Sequence, residues 1–139
     1  MKDVTLGKMV NLEQVKSLYI PNDWVQQFNE EHHKYAIFLK NNPTMFRFVP
    51  TKTKKVVQFH MKLAVLEEDF LQRLFRIFEQ MNKDYKIKPL YSSGVCFVSE
   101  ECYYFFLIES VTTDIELKIN EELQKLESVE EVITKTYQL

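Results

Sequence analysis

One break constrains this chain more than any other feature. The stretch Pro50-Thr51-Lys52-Thr53-Lys54-Lys55 is polar and basic, and it separates two apolar runs, Thr44-Met45-Phe46-Arg47-Phe48-Val49 and Val56-Val57-Gln58-Phe59. A stretch of this composition reads as a short linker. It divides the 139 residues into a first segment, 1–50, a linker, 51–55, and a second segment, 56–139. That length suits one ordinary domain or two very small modules.

Charge follows the same division. Residues 1–55 carry nine Lys/Arg against five Asp/Glu, or +4, and residues 56–139 carry nine against fifteen, or −6, within an overall charge of −2. The first part is therefore suited to meet a polyanion and the second is not, although the same cations also solvate a surface. The chain has 2 Gly, too few for the glycine-rich loops that cradle nucleotide phosphates, so P-loop, kinase and Rossmann readings fall away. Cys96 and Cys102 are too few for a disulfide framework or a four-cysteine zinc site, and a reducing cytoplasmic setting follows as the simplest inference. Residues 1–6 contain Lys2 and Asp3, so no secretory signal is expected, and no membrane partner is expected either.

In the first segment, Val4-Thr5-Leu6 with Met9-Val10 predicts a strand, and Ser17-Leu18-Tyr19-Ile20 predicts another that Pro21 ends. Residues 21–29 predict a short helix, with Pro21 in its first turn, Asn22 and Asp23 as caps, and Trp24, Val25 and Phe28 on its apolar side. Tyr35-Ala36-Ile37-Phe38-Leu39-Lys40 and residues 44–49, joined by Asn41-Asn42-Pro43, predict a β-hairpin.

In the second segment, residues 56–65 alternate as a strand with Val57, Phe59, Met61 and Leu63 on one side. Over 67–81, Phe70, Leu71, Leu74, Phe75, Ile77, Phe78 and Met81 recur at spacings of three and four, which predicts a helix with one buried stripe. Lys86-Ile87-Lys88-Pro89-Leu90 leads through Ser92-Ser93-Gly94 to a strand at Val95-Cys96-Phe97-Val98; a very apolar strand follows at 102–108. Thr112, Thr113 or Asp114 can cap a helix in which Ile115, Ile119, Leu123 and Leu126 share a face, and residues 130–137 close as a strand. The order is β-α-β-β-α-β.

With its ending Leu123-Gln124-Lys125-Leu126-Glu127-Ser128-Val129-Glu130-Glu131-Val132, segment 56–139 resembles ACT-like regulatory domains, an element order it shares with the effector domains of Lrp-type regulators. The resemblance implies a ferredoxin-like fold that binds an amino acid or similar effector at a dimer interface, through a glycine-containing loop. Here the matching residues, Ala64-Val65-Leu66-Glu67-Glu68-Asp69, have no glycine and three adjacent acids, which favours oligomerisation or partner contact over amino-acid sensing. Segment 1–50, with Ser17-Leu18-Tyr19-Ile20-Pro21, the short helix and the hairpin, resembles AbrB-like or SpoVT-like swapped-hairpin DNA-binding domains. That likeness implies an intertwined homodimer completing a small β-barrel-type core, because one copy is too small to close it. Lys16, Ser17 and Val25 stand where the family often carries Gly-Arg and a helical Arg, so what the resemblance leaves for DNA contact is Lys2, Lys8, Lys16, Arg47, Lys52, Lys54 and Lys55.

Three constellations have plainer readings. Glu30-Glu31-His32-His33 contains metal-ligand types but reads as a solvated loop. His60 with Cys96 or Cys102 lacks an orienting third group for nucleophilic catalysis; His60 is expected at a surface or interface, and the cysteines as small apolar residues. Tyr103-Tyr104-Phe105-Phe106 resembles a base-stacking strand, but its acidic surroundings favour core packing on one face and sheet-to-sheet dimer contact on the other. The expected protein is thus an α+β, non-enzymatic, cytoplasmic DNA-binding transcriptional regulator: a swapped-hairpin domain followed by a βαββαβ domain, homodimeric or larger, needing no cofactor or metal. The alternative is a regulatory or scaffold subunit that binds a ligand or protein partner without touching DNA.

Overall fold

The computed structural model describes residues 6–15, 20–42, 45–64, 68–97 and 101–139. Strands β1 (Leu6–Asn11), β2 (Tyr35–Asn42) and β3 (Met45–Thr51) form an antiparallel sheet in the order β1-β2-β3. Between β1 and β2 lie a one-turn helix α1 (Leu12–Val15) and α2 (Asn22–Glu30). The second sheet takes β4 (Lys55–Leu63), β5 (Tyr91–Cys96), β6 (Cys102–Glu109) and β7 (Val129–Gln138) in the order β5-β6-β4-β7, and α3 (Phe70–Tyr85) and α4 (Thr113–Gln124) complete it. The architecture is α+β. Two compact units result: residues 57–135, and the described residues up to Val56 joined by Thr136–Leu139. The β3–β4 connection is short, residues 52–54, and two threonine hydroxyls brace it: Thr51 Oγ1 donates to the Thr53 carbonyl (2.9 Å) and Thr53 Oγ1 to the Lys55 carbonyl (2.7 Å). Pro50 lies inside β3, an edge strand, where a missing N–H costs no ladder bond.

In the first unit, register places Val10, Ala36 and Pro50 in one row, and Lys8, Phe38 and Phe48 in the next row of the same face. Leu12, Val10, Ile20, Phe28, Phe38 and Phe48 pack around Ala36, with the Phe48 ring 5.8 Å from Phe28 and 5.3 Å from Phe38. The opposite face carries Met9, Ile37 and Leu39, all buried. Among the described residues of one copy this sheet stays open, with three strands and no barrel closure. A Cβ added to Gly7 would sit 2.6 Å from the Tyr137 ring, so only glycine permits the last part of β7 to lie this close to β1. Pro21 holds the N-cap position of α2, and no side chain caps that helix, in contrast to the capping expected of Asn22 and Asp23. The expected strand at 17–20 falls largely outside the described residues, and Ile20 itself is not in a strand.

In the second unit, Val57, Phe59, Met61 and Leu63 of β4, Phe106 and Ile108 of β6, Phe70, Leu74 and Met81 of α3, and Ile119 and Leu123 of α4 make one core. Phe106 is its hub, stacked on Phe59 at 5.2 Å and met edge-on by Phe78 at 4.8 Å. The stripe of α3 is narrower than the sequence implies, because Leu71 and Phe75 are exposed. That helix ends at Lys86 in the left-handed conformation (φ 57°), its N–H donating to the Asn82 carbonyl at 3.0 Å. Thr112 caps α4 by accepting the Ile115 N–H (3.4 Å).

Three expectations need correction. Ser92, Ser93 and Gly94 do not lead into the strand but form the middle of β5, opposite Phe106, Phe105 and Tyr104. His60 is not at a surface: it is 3% exposed, because β4 is an interior strand and its second row, Val56, Gln58 and His60, is buried like the first. Cys96 and Cys102 are not free thiols, since they face each other across β5 and β6 and are joined as a disulfide.

Candidate nucleic-acid interface

The side chains proposed for DNA contact separate into groups. Lys2 and Lys16 lie outside the described residues. Lys8 is exposed on the face of the first sheet that carries Phe38 and Phe48. Arg47 is exposed as well, but it pairs in register with Leu39 and so belongs to the other face. The structure therefore does not bring Lys8 and Arg47 onto one surface.

At the other end of the strands, Lys52 and Lys54 are exposed in the β3–β4 connection and Lys55, half-buried, opens β4. Sequence reasoning missed the residue that joins them, Lys34. It is exposed just before β2, and its N–H donates to the Thr51 carbonyl at 3.1 Å, which fixes it beside the connection. Its own carbonyl accepts from Leu12 (3.0 Å), and the Lys54 carbonyl accepts from Leu139 (3.1 Å). Lys34, Lys52, Lys54 and Lys55 thus gather at one end of the sheet, where these backbone hydrogen bonds fix the chain. The signal in the sequence was weak, because Lys34 stands alone among Glu30, Glu31, His32 and His33, and only the β2–β3 register shows which end it occupies.

At the far end, Leu6 pairs with Lys40, and Lys40 Nζ lies 5.6 Å from the centre of the Phe46 ring, a cation–π distance. Leu6 and Phe46 are strongly exposed, at 66% and 69%. Tyr35 to Lys40 spans five residues of strand, so the two basic ends stand roughly 17 Å apart at ~3.3 Å per residue.

His32 and His33 have a structural task. His32 takes a left-handed conformation (φ 65°), and the His33 N–H donates to the Phe28 carbonyl (2.9 Å), which closes the end of α2. His33 Nδ1 lies 3.6 Å from a Glu31 oxygen. No group of three or more metal-ligating side chains forms among the described residues. His60 lies flat over Phe105 (centroids 6.4 Å, 12° between planes), near Tyr103 (5.5 Å), with Gln58 Nε2 3.3 Å from its Nδ1, and no cysteine stands beside it as a nucleophile.

In the second unit, Val65, Leu66 and Glu67 of the segment 64–69 lie outside the described residues. Asp69 there is engaged, its carboxylate accepting from Arg73 Nε at 2.8 Å. Between α3 and α4 runs a groove of about 480 Å³, floored by Ile77, Met81 and Ile119 and rimmed by Asp84, Glu121 and Glu122. Lys118 lines it as well, so three acidic side chains stand there against one basic. Tyr103, Phe105 and Leu107 of β6, the face assigned to sheet-to-sheet dimer contact, are 3%, 2% and 0% exposed in a single copy. That face is already withdrawn from solvent without a twin.

The chain matches no protein-family model and no curated protein. Among the described residues, no helix is long and apolar enough to cross a membrane.

Proposed function

We propose that the protein is a cytoplasmic, non-enzymatic transcriptional regulator whose first unit, an AbrB-like hairpin module paired with a second copy, contacts duplex DNA through Lys34, Lys52, Lys54 and Lys55. The observation that carries this reading is the collection of these four cations at one end of the first sheet. A two-fold dimer doubles the set, and neutralising phosphates releases counterions. The second unit is read as the ferredoxin-like, ACT-like module. The strand order β5-β6-β4-β7, in which the first and third strands of the unit are neighbours at the centre, supports that reading. Its role is association, with an amino-acid-like effector as the candidate ligand.

Fluorescence anisotropy with a labelled duplex, titrated across salt, tests the proposal. Binding at ~50 mM salt should weaken steeply as salt rises, and removing three lysines per copy (Lys34→Ala, Lys52→Ala, Lys54→Ala), six per dimer, should flatten the log–log slope by about 5.4, at ~0.9 per phosphate contact. Absence of duplex binding at ~50 mM salt sinks it.

The second reading, a regulatory or scaffold subunit that binds a ligand or a protein, is favoured by the placement of Lys8 and Arg47 on opposite faces. It predicts self-association or partner binding indifferent to the triple substitution.

A further inference from the structure

The disulfide carries chemistry that neither functional reading uses. Cys96 and Cys102 are register partners, with Cα atoms 4.1 Å apart. One residue further on, the Phe97 N–H donates to the Glu101 carbonyl (2.9 Å). The cysteine pair is thus the close, non-hydrogen-bonded kind of antiparallel pair, whose side chains the strands themselves hold together. Five further register pairs, from Tyr91 with Leu107 to Val95 with Tyr103, keep β5 and β6 aligned whether or not the sulfurs are bonded. The Phe97 ring against Tyr103 (5.9 Å) and the Tyr103 hydroxyl donating to Glu101 (2.9 Å) add to that alignment.

The two sulfurs differ in access. Cys96 is exposed on the edge strand of its sheet, although the Tyr104 ring lies over Gly94, its neighbour on the same face. Cys102 is buried in the core of the second unit. We infer that Cys96–Cys102 is a thiol-exchange site in which a small external thiol attacks Cys96, and Cys102 is both the leaving sulfur and the one that closes the bond again.

The electron count closes with the thiol as reductant. A thiolate attacks Cys96 Sγ, the Cys96–Cys102 bond breaks, and Cys102 leaves with the electron pair and takes a proton from solvent; the product is a mixed disulfide on Cys96. A second thiolate displaces Cys96 from it, so two thiols become one disulfide and the protein gains two electrons and two protons. In reverse, a small-molecule disulfide loads Cys96 and Cys102 expels the adduct. Because β5 and β6 stay paired throughout, exchange proceeds without unfolding.

The test uses the full chain with glutathione and its disulfide. Protein oxidised in air should show no free thiol after denaturation. Brief treatment with reduced glutathione and rapid alkylation should place the adduct on Cys96 by peptide mapping, with near-UV circular dichroism unchanged. Cys102→Ser, which lacks the closing thiol, should hold a stable glutathione adduct when given glutathione disulfide, while Cys96→Ser should load Cys102 at least roughly tenfold more slowly, since access controls thiol reactivity. Adducts on Cys102 of the native protein, equal labelling of both sulfurs, two free thiols after air oxidation, or loss of tertiary signal on reduction would each overturn the inference. The mapping on the unmutated chain decides the matter even where a serine variant folds poorly.

Discussion

Replacing Gly7 by alanine tests how the two ends of the sequence are joined. The new methyl carbon would stand 2.6, 2.9 and 3.0 Å from three atoms of the Tyr137 ring. Carbon atoms rest at ~3.5–4.0 Å from one another, so the ring must retreat by about 1 Å. Tyr137 is only 6% exposed, so the ring has little open space to move into. Overpacking of this kind costs about 1–3 kcal/mol. With an unfolding entropy of ~2.1 cal/mol/K per residue over 139 residues, each kcal/mol lowers Tm by about 3 °C, so Gly7→Ala should melt ~3–10 °C early. The assay is thermal or urea unfolding followed by the fluorescence of Trp24, the single tryptophan, which lies in α2 of the unit under test. The decisive comparison is a double-mutant cycle: in a Tyr137→Ala background the same substitution should be nearly neutral, or stabilising by a few tenths of a kcal/mol, because the obstacle is gone. Equal cost in both backgrounds would show that the ring does not cover Gly7, and the reasoning would fail.

Three further outcomes are expected. Phe106→Ala removes the ring that meets both Phe59 and Phe78 in a fully buried position, and should cost about 3–5 kcal/mol, read as a lowered urea midpoint. Thr112→Ala removes the α4 cap; at 3.4 Å that bond is long, so a loss near the low end of the usual ~0.5–2 kcal/mol is expected in the same measurement. Burial, and then the hydrogen bond donated to Glu101, hold the Tyr103 phenol above its ordinary value of 10.0. The folded state thus favours the neutral form, and this contribution to stability, complete below the unfolded value, is lost as pH rises through the folded one. Denaturation midpoints on the alkaline side should therefore fall more for the native chain than for Tyr103→Phe, and a spectrophotometric difference titration should place the missing phenol above the ordinary tyrosine value of 10.0.

Much of the framework was legible in residue order. Local signals suffice for α3, whose apolar residues recur every three or four positions, for α4 with Thr112 before it, and for the β2–β3 hairpin around Asn41-Asn42-Pro43. The misses share a cause: they depend on neighbours distant in sequence. Alternation in residues 56–63 suggested a half-exposed strand and a surface His60, but interior placement buries both rows of β4. The Ser92-Ser93-Gly94 tripeptide has turn composition, yet pairing with the strongly apolar β6 draws it into a strand. Cys96 and Cys102 are six positions apart, a separation that says nothing until both are seen opposite each other. The helix α1 did leave a trace: the Asn11 side chain accepts from the Glu13 N–H (3.1 Å) and Gln14 Oε1 from the Asn11 N–H (3.3 Å), a reciprocal cap whose Asn-x-x-Gln spacing is visible in the chain. As for the candidate interface, Lys52, Lys54 and Lys55 stood out as a run, whereas Lys34 needed the fold to bring it near them.

The membership of Thr136–Leu139 in the first unit has a consequence for biogenesis. On the ribosome, β1, β2 and β3 are synthesised early, yet the ring that covers Gly7 is translated some 130 positions later. The amino-terminal module therefore waits, incomplete, until the carboxyl-terminal one has been made. A nascent chain arrested before Tyr137 should leave that module the more protease-sensitive of the two, and a recombinant fragment ending at Val56 should be cleaved faster than the same segment in the full chain.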